Sequence, residues 1–161
     1  MLIRKADEQD LDAICRLARQ INRQHHQALP ELFRDEADAD ADRAFWAERM
    51  EGEDRAMLLA EHEGEVRAFA AAQLQASPPL PFLQPRHICR IGTIVVDEAH
   101  RGQGIGSLLL AAVENWGRRQ DADELRLEVM QFNREALAFY ARHGLAAQSQ
   151  IMSKSLSGAA Q

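Results

Sequence analysis

The sequence has little of what would make a chain basic, disulfide-bonded or membrane-spanning. Nineteen Lys and Arg stand against 25 Asp and Glu, for a formal charge of -6. A surface that tracks phosphates needs clustered Lys and Arg, so this balance argues against general nucleic-acid binding. The two cysteines, Cys15 and Cys89, are far apart and form no CxxC pair. They supply neither a disulfide framework nor a zinc ligand set, and no metal is expected. The longest apolar runs, such as LLLAAV at 108–113, fall well short of the roughly 20 residues a bilayer requires. The start, MLIRKADEQD, turns acidic before any apolar stretch develops and does not read as a signal peptide. A cytoplasmic setting without a membrane partner is the expectation. Tyrosine occurs once, at Tyr140, and four of the five prolines crowd into SPPLPFLQPR at 77–86. That segment can be neither a central strand nor a helix, and reads as an ordered surface loop.

What remains is an ordinary globular composition. With 161 residues, 46% hydrophobic and 27% charged, the chain fits one domain over 1–161 that buries roughly two thirds of its unfolded surface. Leu2 to Lys5 reads as a strand. Asp7 offers an N-cap with Asp10 three residues on, and Leu11, Ile14, Ala18 and Ile21 recur at helical spacing, predicting a helix over about 8–24. Pro30 interrupts it. A second amphipathic helix is expected over about 40–50. Met57–Glu61 and Val66–Gln75 read as a hairpin, with Gly64 free to take a positive φ at the turn. A strand at 88–96, a helix at 104–120 burying Leu108, Leu109, Ala112, Val113 and Trp116, a strand at 125–130 and a helix at 134–143 follow. Gly144 is the expected C-cap. The tail from Leu145 to Leu156 is expected to add one or two strands. The order is then β-α-α-β-β-β-α-β-α-β. A strand, crossover helix and strand between 88 and 130 imply parallel neighbours, so the sheet is mixed and the class α/β (α+β).

The stretch IVVDEAHRGQGIGSLLL at 94–110 carries the most chemistry. A buried strand runs into a loop with Gly102, Gly104 and Gly106, which opens directly into an apolar helix. Glycines let the backbone approach a phosphate, and the unpaired N–H groups at the helix start point at the anion. Arg101 can add a charge-assisted contact. A Walker loop is excluded because no Lys follows the last glycine. A dinucleotide fingerprint is excluded because G-x-G-x-x-G would need glycine where Ser107 stands. Arg101, Gly104 and Gly106 do fit an R-x-x-G-x-G pyrophosphate loop. A second element lies about thirty residues on: Asn133, Ala136, Phe139-Tyr140 and Gly144-Leu145.

Together these two elements resemble the GCN5-related N-acetyltransferase (GNAT) superfamily over 88–156. The N-terminal half fits that family in element order only. The resemblance implies a mixed sheet of six to seven strands flanked by about four helices, with splayed parallel central strands. It implies that the backbone of Ile94, Val95 and Val96 binds the pantetheine arm of acetyl-CoA like an added strand. The pyrophosphate would sit on Arg101, Gly102, Gln103, Gly104, Ile105, Gly106 and Ser107, with Asn133, Ala136 and Tyr140 also at the coenzyme. Tyr140 matches the family's general acid, the N–H of Val95 is the expected oxyanion donor, and Glu128 is a candidate base. His25, His26 and Phe33, in a region similar to the first-helix segment of small-substrate members, and His87 are the candidate acceptor-binding residues. The implied activity is transfer of an acetyl group to the primary amine of a small molecule by direct attack in a ternary complex. A non-catalytic acyl-CoA sensor and a protein acetyltransferase acting on Lys or chain N-termini are the alternatives. Dimerisation through C-terminal strands is a further expectation from the resemblance.

Overall fold

A computed structural model describes residues 1–36 and 38–156. The chain falls into two compact units, 1–128 and 129–161.

In the first unit the strands β1 (Leu2–Lys5), β2 (Arg55–His62), β3 (Glu65–Ala76), β4 (His87–Val96) and β5 (Glu124–Leu127) form one sheet in the order of the chain. The first three pairings are antiparallel and β4–β5 is parallel. The helices are α1 (Leu11–Ala28), α2 (Ala39–Met50) and α3 (Ile105–Arg119). The expected capping box is present: the Asp7 side chain caps the turn at 8–10 and Asp10 returns a bond to the Asp7 N–H. Glu63 and Gly64 both take positive φ in the β2–β3 turn, as a two-residue hairpin requires.

The sheet is covered on both faces. Ile14, Leu17 and Ala18 of α1 and Trp46 of α2 are buried with Met57, Leu59, Phe69, Ala71 and Val95. The alternate positions of β3, Ala68, Ala70 and Ala72, are also buried, and their small side chains let α3 lie close to the other face. α3 buries Ile105, Leu109, Leu110, Val113 and Gly117. Leu108, expected inside, is 48% exposed, because the i, i+4 stripe 105–109–113–117 sets the contact face and Leu108 falls beside it.

Gly117 marks the closest approach of α3 to β4. A Cβ there would lie 3.0 Å from Cys89 Cβ and 3.1 Å from its Sγ, and Cys89 is fully buried. Gly117→Val is therefore expected to cost about 1–3 kcal/mol through overpacking. Urea unfolding measures it, and Cys89→Ala in the same background should recover part of the loss.

In the second unit α4 (Arg134–Arg142) is capped by Asn133, whose side chain accepts from the Ala136 N–H. The C-cap is His143 rather than the expected Gly144, which follows it at φ +83. Two further expectations fail. β5 ends at Leu127 rather than at 130. Among the described residues, 145–156 hold no strand, so the sheet has five strands rather than six or seven. Ile151, Met152 and Leu156 are 80–91% exposed, and a strand without a buried face or a bonded edge has nothing to hold it.

Candidate active site

β4 changes its pairing halfway along. Its first half pairs β5 from Ile88↔Glu124 to Ile91↔Leu127, where that ladder ends. The partner on the other side is β3, and its register slips at the same place: Ala72 faces Ile91 while Ala71 faces Thr93, leaving Gly92 as an extra residue. A bulge bends and twists its strand. Here it turns β4 at the residue where β5 stops following it, and β4 runs on to Val96 beside β3 alone. The β4–β5 ladder thus ends beside the one inserted glycine.

The bulge also decides which peptide groups face the gap. The Asp97 N–H donates to the Arg67 carbonyl on β3 at 2.8 Å. In an antiparallel pair alternate residues bond the partner, so Val95, opposite Phe69, also directs its N–H and C=O to β3. Ile94 and Val96 then present theirs to the open side. The Val96 carbonyl confirms the phase by accepting from Arg101 Nε at 3.3 Å. In this register the N–H of Val95, the expected oxyanion donor, is turned into the sheet, and Ile94 and Val96 carry the outward groups. Buried amides without partners are costly, so this edge favours an extended polar chain laid beside it.

Beyond Val96 the chain makes a turn at 98–100 and the glycine loop. Asp97 caps the turn through the Ala99 N–H at 3.1 Å. Gly102 at φ +75 and Gly104 at φ +81 take left-handed backbone, and a Cβ at either would meet nothing within 4 Å. The loop is therefore open in front of its own amides. Gly104 is the N-cap of α3 and offers no side-chain cap, so the first N–H groups of a 15-residue helix point outward beside it. The residues present fit an anion of phosphate type. Arg101 lies alongside, its guanidinium 4.0 Å from Glu98. Gln103 is exposed and Gly106 and Ser107 are half-buried in the first turn of α3.

α1 is fastened to the head of this loop by contacts the sequence did not announce. Arg16 bonds Asp97 at 2.9 Å and the Val66 carbonyl at 3.0 Å. Gln20 accepts from the Glu98 N–H at 3.0 Å. Asp97 feels two opposed effects: burial pushes its pKa up, and the bonds from Arg16 and Ala99 pull it down and prevail. Because the folded pKa lies below the ordinary value, Asp97 stabilises the fold above the usual carboxylate range. That contribution is lost as pH falls through the lowered pKa. Arg16→Met is expected to raise the Asp97 pKa and move the acid side of the pH–stability curve upward. The loss at neutral pH should be about 1 kcal/mol, since Arg16 is partly solvated.

The remaining candidates separate. His25, His26 and Phe33 come together at the end of α1: the His25 and Phe33 rings lie 4.8 Å apart, and His26 Nδ1 is 2.8 Å from the Phe33 carbonyl. His87 does not join them. It starts β4 and bonds Asp123, nine residues from Val96, or roughly 30 Å along the strand. Glu128, just past β5 where the β4–β5 ladder ends, is an exposed carboxylate 3.7 Å from Arg90. In the second unit Tyr140 is 9% exposed, with Phe139 edge-on at 5.1 Å. Burial pushes its phenol up to about 12. The Asn133 carbonyl oxygen is committed to the Ala136 cap at 3.1 Å, and its NH2 group keeps the donor capacity. Among the described residues no cluster of three His, Cys, Asp or Glu could hold a metal ion, and no helix is long and apolar enough to cross a membrane.

Comparisons with known proteins bear on the family and the fold. The family model described as Acetyltransferase (GNAT) family matches residues 14–145. A crystal structure of a point mutant of the BH1408 protein from Bacillus halodurans is 31% identical, with a TM-score of 0.91 over 97% of this chain and 99% of that one. The uncharacterised N-acetyltransferase YhfO of Bacillus subtilis (strain 168) is 28% identical over 89% of each chain. The aminoglycoside N-acetyltransferase AAC(6')-Iy, solved in complex with CoA, shares the fold at 18% identity, with a TM-score of 0.78 over 98% of this chain and 95% of that one.

Proposed function

Because this chain belongs to the acetyltransferase (GNAT) family, we propose that it transfers the acetyl group of acetyl-CoA to the primary amine of a small molecule, by direct attack in a ternary complex. The observation that carries this reading is the end of the β4–β5 ladder at Ile91↔Leu127 while β4 continues to Val96 beside the glycine loop.

Each residue then has a task set by its chemistry. The outward C=O of Ile94 and the N–H and C=O of Val96 bond the amides of the pantetheine arm, which leaves the Ile94 N–H for the oxyanion role that Val95 is turned away from. Amides fixed in a sheet need no reorganisation as negative charge develops on the thioester oxygen. Residues 101–107 hold the pyrophosphate on backbone N–H groups, with Arg101 leaving Val96 and Glu98 to join it. The Asn133 NH2 bonds the arm. Tyr140 gives its proton to the leaving thiolate. A phenol held at about 12 by burial stays protonated across the physiological range, as a donor must.

The amine specificity of this reading is supported by aromatic and imidazole groups gathered at the end of α1, which suit a compact acceptor better than an extended peptide. Thiol release from acetyl-CoA across a panel of small primary amines, set against a lysine-bearing peptide panel, tests it. Turnover with amines and none with peptides is expected. Coenzyme binding with no amine-dependent release would contradict it.

A further inference from the structure

The vicinal histidines are assigned no chemistry by the coenzyme site, yet the fold aims them differently. α1 crosses the sheet in strand order. Asp10 is bonded by Arg4 of β1, Arg16 reaches the β3 carbonyl of Val66 and then Asp97 at the end of β4, and Gln20 meets Glu98. His25 lies five residues beyond Gln20, or about 7.5 Å at about 1.5 Å per residue. That exceeds one strand spacing of about 4.8 Å, and carries His25 past β4 to the side where the ladder opens. His25 also continues the stripe Ile14, Ala18, Ile21, whose members pack onto the sheet-facing core. It therefore faces the gap, whereas His26 is turned about 100° round the helix.

Backbone carbonyls fix which nitrogen of each ring donates. His25 Nδ1 lies 2.9 Å from the Ile21 carbonyl and His26 Nδ1 lies 2.8 Å from that of Phe33. A carbonyl oxygen only accepts, so each Nδ1 carries the hydrogen, and in the neutral ring Nε2 holds the lone pair. The Phe33 ring lies over His25 at 4.8 Å and 37°. Phe33 is held in turn by His26, whose Nε2 is 3.8 Å from Asp35.

We propose that His25 Nε2 is the catalytic base that removes a proton from the acceptor amine, and that His26 is a positioning residue acting through Phe33. This rests on the acetyltransferase reading above. In the step, Nε2 takes one proton from the substrate ammonium, and the freed nitrogen lone pair forms the C–N bond at the thioester carbonyl. The C–S bond breaks, the thiolate is protonated by Tyr140, and the second amine proton, lost as the amide forms, restores the Tyr140 phenol. The imidazolium returns its proton to solvent, so one proton is released per amide made.

The test uses the full chain, acetyl-CoA and three probe amines: neamine, spermidine and tyramine. His25→Asn is the informative variant, since its amide N–H can bond the Ile21 carbonyl in place of Nδ1 while offering no basic nitrogen. Its kcat/KM for the amine is expected to fall about 100-fold or more, with the KM for acetyl-CoA unchanged and part of the rate restored by added imidazole. His26→Asn keeps a donor for the Phe33 carbonyl and should retain most activity. His26→Leu removes it and should lower kcat without moving the acetyl-CoA KM. An active wild type with an equally active His25→Asn overturns the assignment of the base alone. A wild type that releases no thiol with any of the three amines overturns the acetyltransferase reading with these acceptors and the base with it.

Discussion

Tyr140→Phe is expected to lower kcat by about 100- to 10,000-fold, the usual worth of a positioned proton donor, while leaving the affinity for CoA within about threefold. The substitution removes one oxygen and keeps the ring that packs edge-on with Phe139, so the loss reports chemistry rather than folding. The phenol is 9% exposed and its pKa is driven up by burial. A buried phenol is a poor anion, and it re-protonates promptly after giving its proton away. The same burial has a consequence for stability: with the folded pKa raised, the fold loses stability as pH climbs from the ordinary 10.0 towards about 12. Steady-state thiol release with a saturating amine measures the effect on rate. A module that only senses acyl-CoA would bind the coenzyme and turn over no amine with or without the Tyr140 hydroxyl.

The second large effect is expected at the glycine loop. Gly104→Val should weaken CoA binding by about 100-fold or more, equivalent to about 2.7 kcal/mol. Two causes combine. A β-branched residue is strained at φ +81, and its side chain would occupy the open space in front of the α3 amides that a phosphate needs. Gly64→Val is the control. Its φ is +78 and it too has nothing within 4 Å of a built Cβ, so it carries the same backbone strain in the β2–β3 turn without lying on the loop. Both variants should lose a similar 1–3 kcal/mol or so of stability, and only Gly104→Val should lose the coenzyme. Isothermal titration with CoA separates them.

The elements were legible where one local signal dominated. The capping box at Asp7 and Asp10, the Glu63-Gly64 turn and the glycine-opened α3 rest on residues within a few positions of each other, and each formed where its chemistry placed it. Family and fold were legible from two short motifs for the same reason. The tail was not: residues 145–156 carry no strict apolar alternation, and a strand also needs an edge to bond, which a sequence does not display. The phase of β4 was hidden differently. Period-two reading treats a strand as unbroken, and the slip at Gly92 moves the outward backbone groups from the odd to the even residues. His87 and Glu128 both flank central strands, yet a ten-residue strand has two ends: His87 starts β4 at the end away from the opening, whereas Glu128 follows Leu127, where the β4–β5 ladder stops. The Arg16–Asp97 link joins residues 81 apart with no motif at either, so only the folded chain reveals it.

Amide hydrogen exchange read residue by residue, with and without acetyl-CoA, tests the account at its centre. The coenzyme should slow exchange at Ile94 and Val96, whose N–H groups face the gap, and leave Val95, already bonded across to β3, almost unchanged. If saturating acetyl-CoA protects neither Ile94 nor Val96, or protects Val95 in their place, the arm does not lie along the open edge of β4 and the account is wrong.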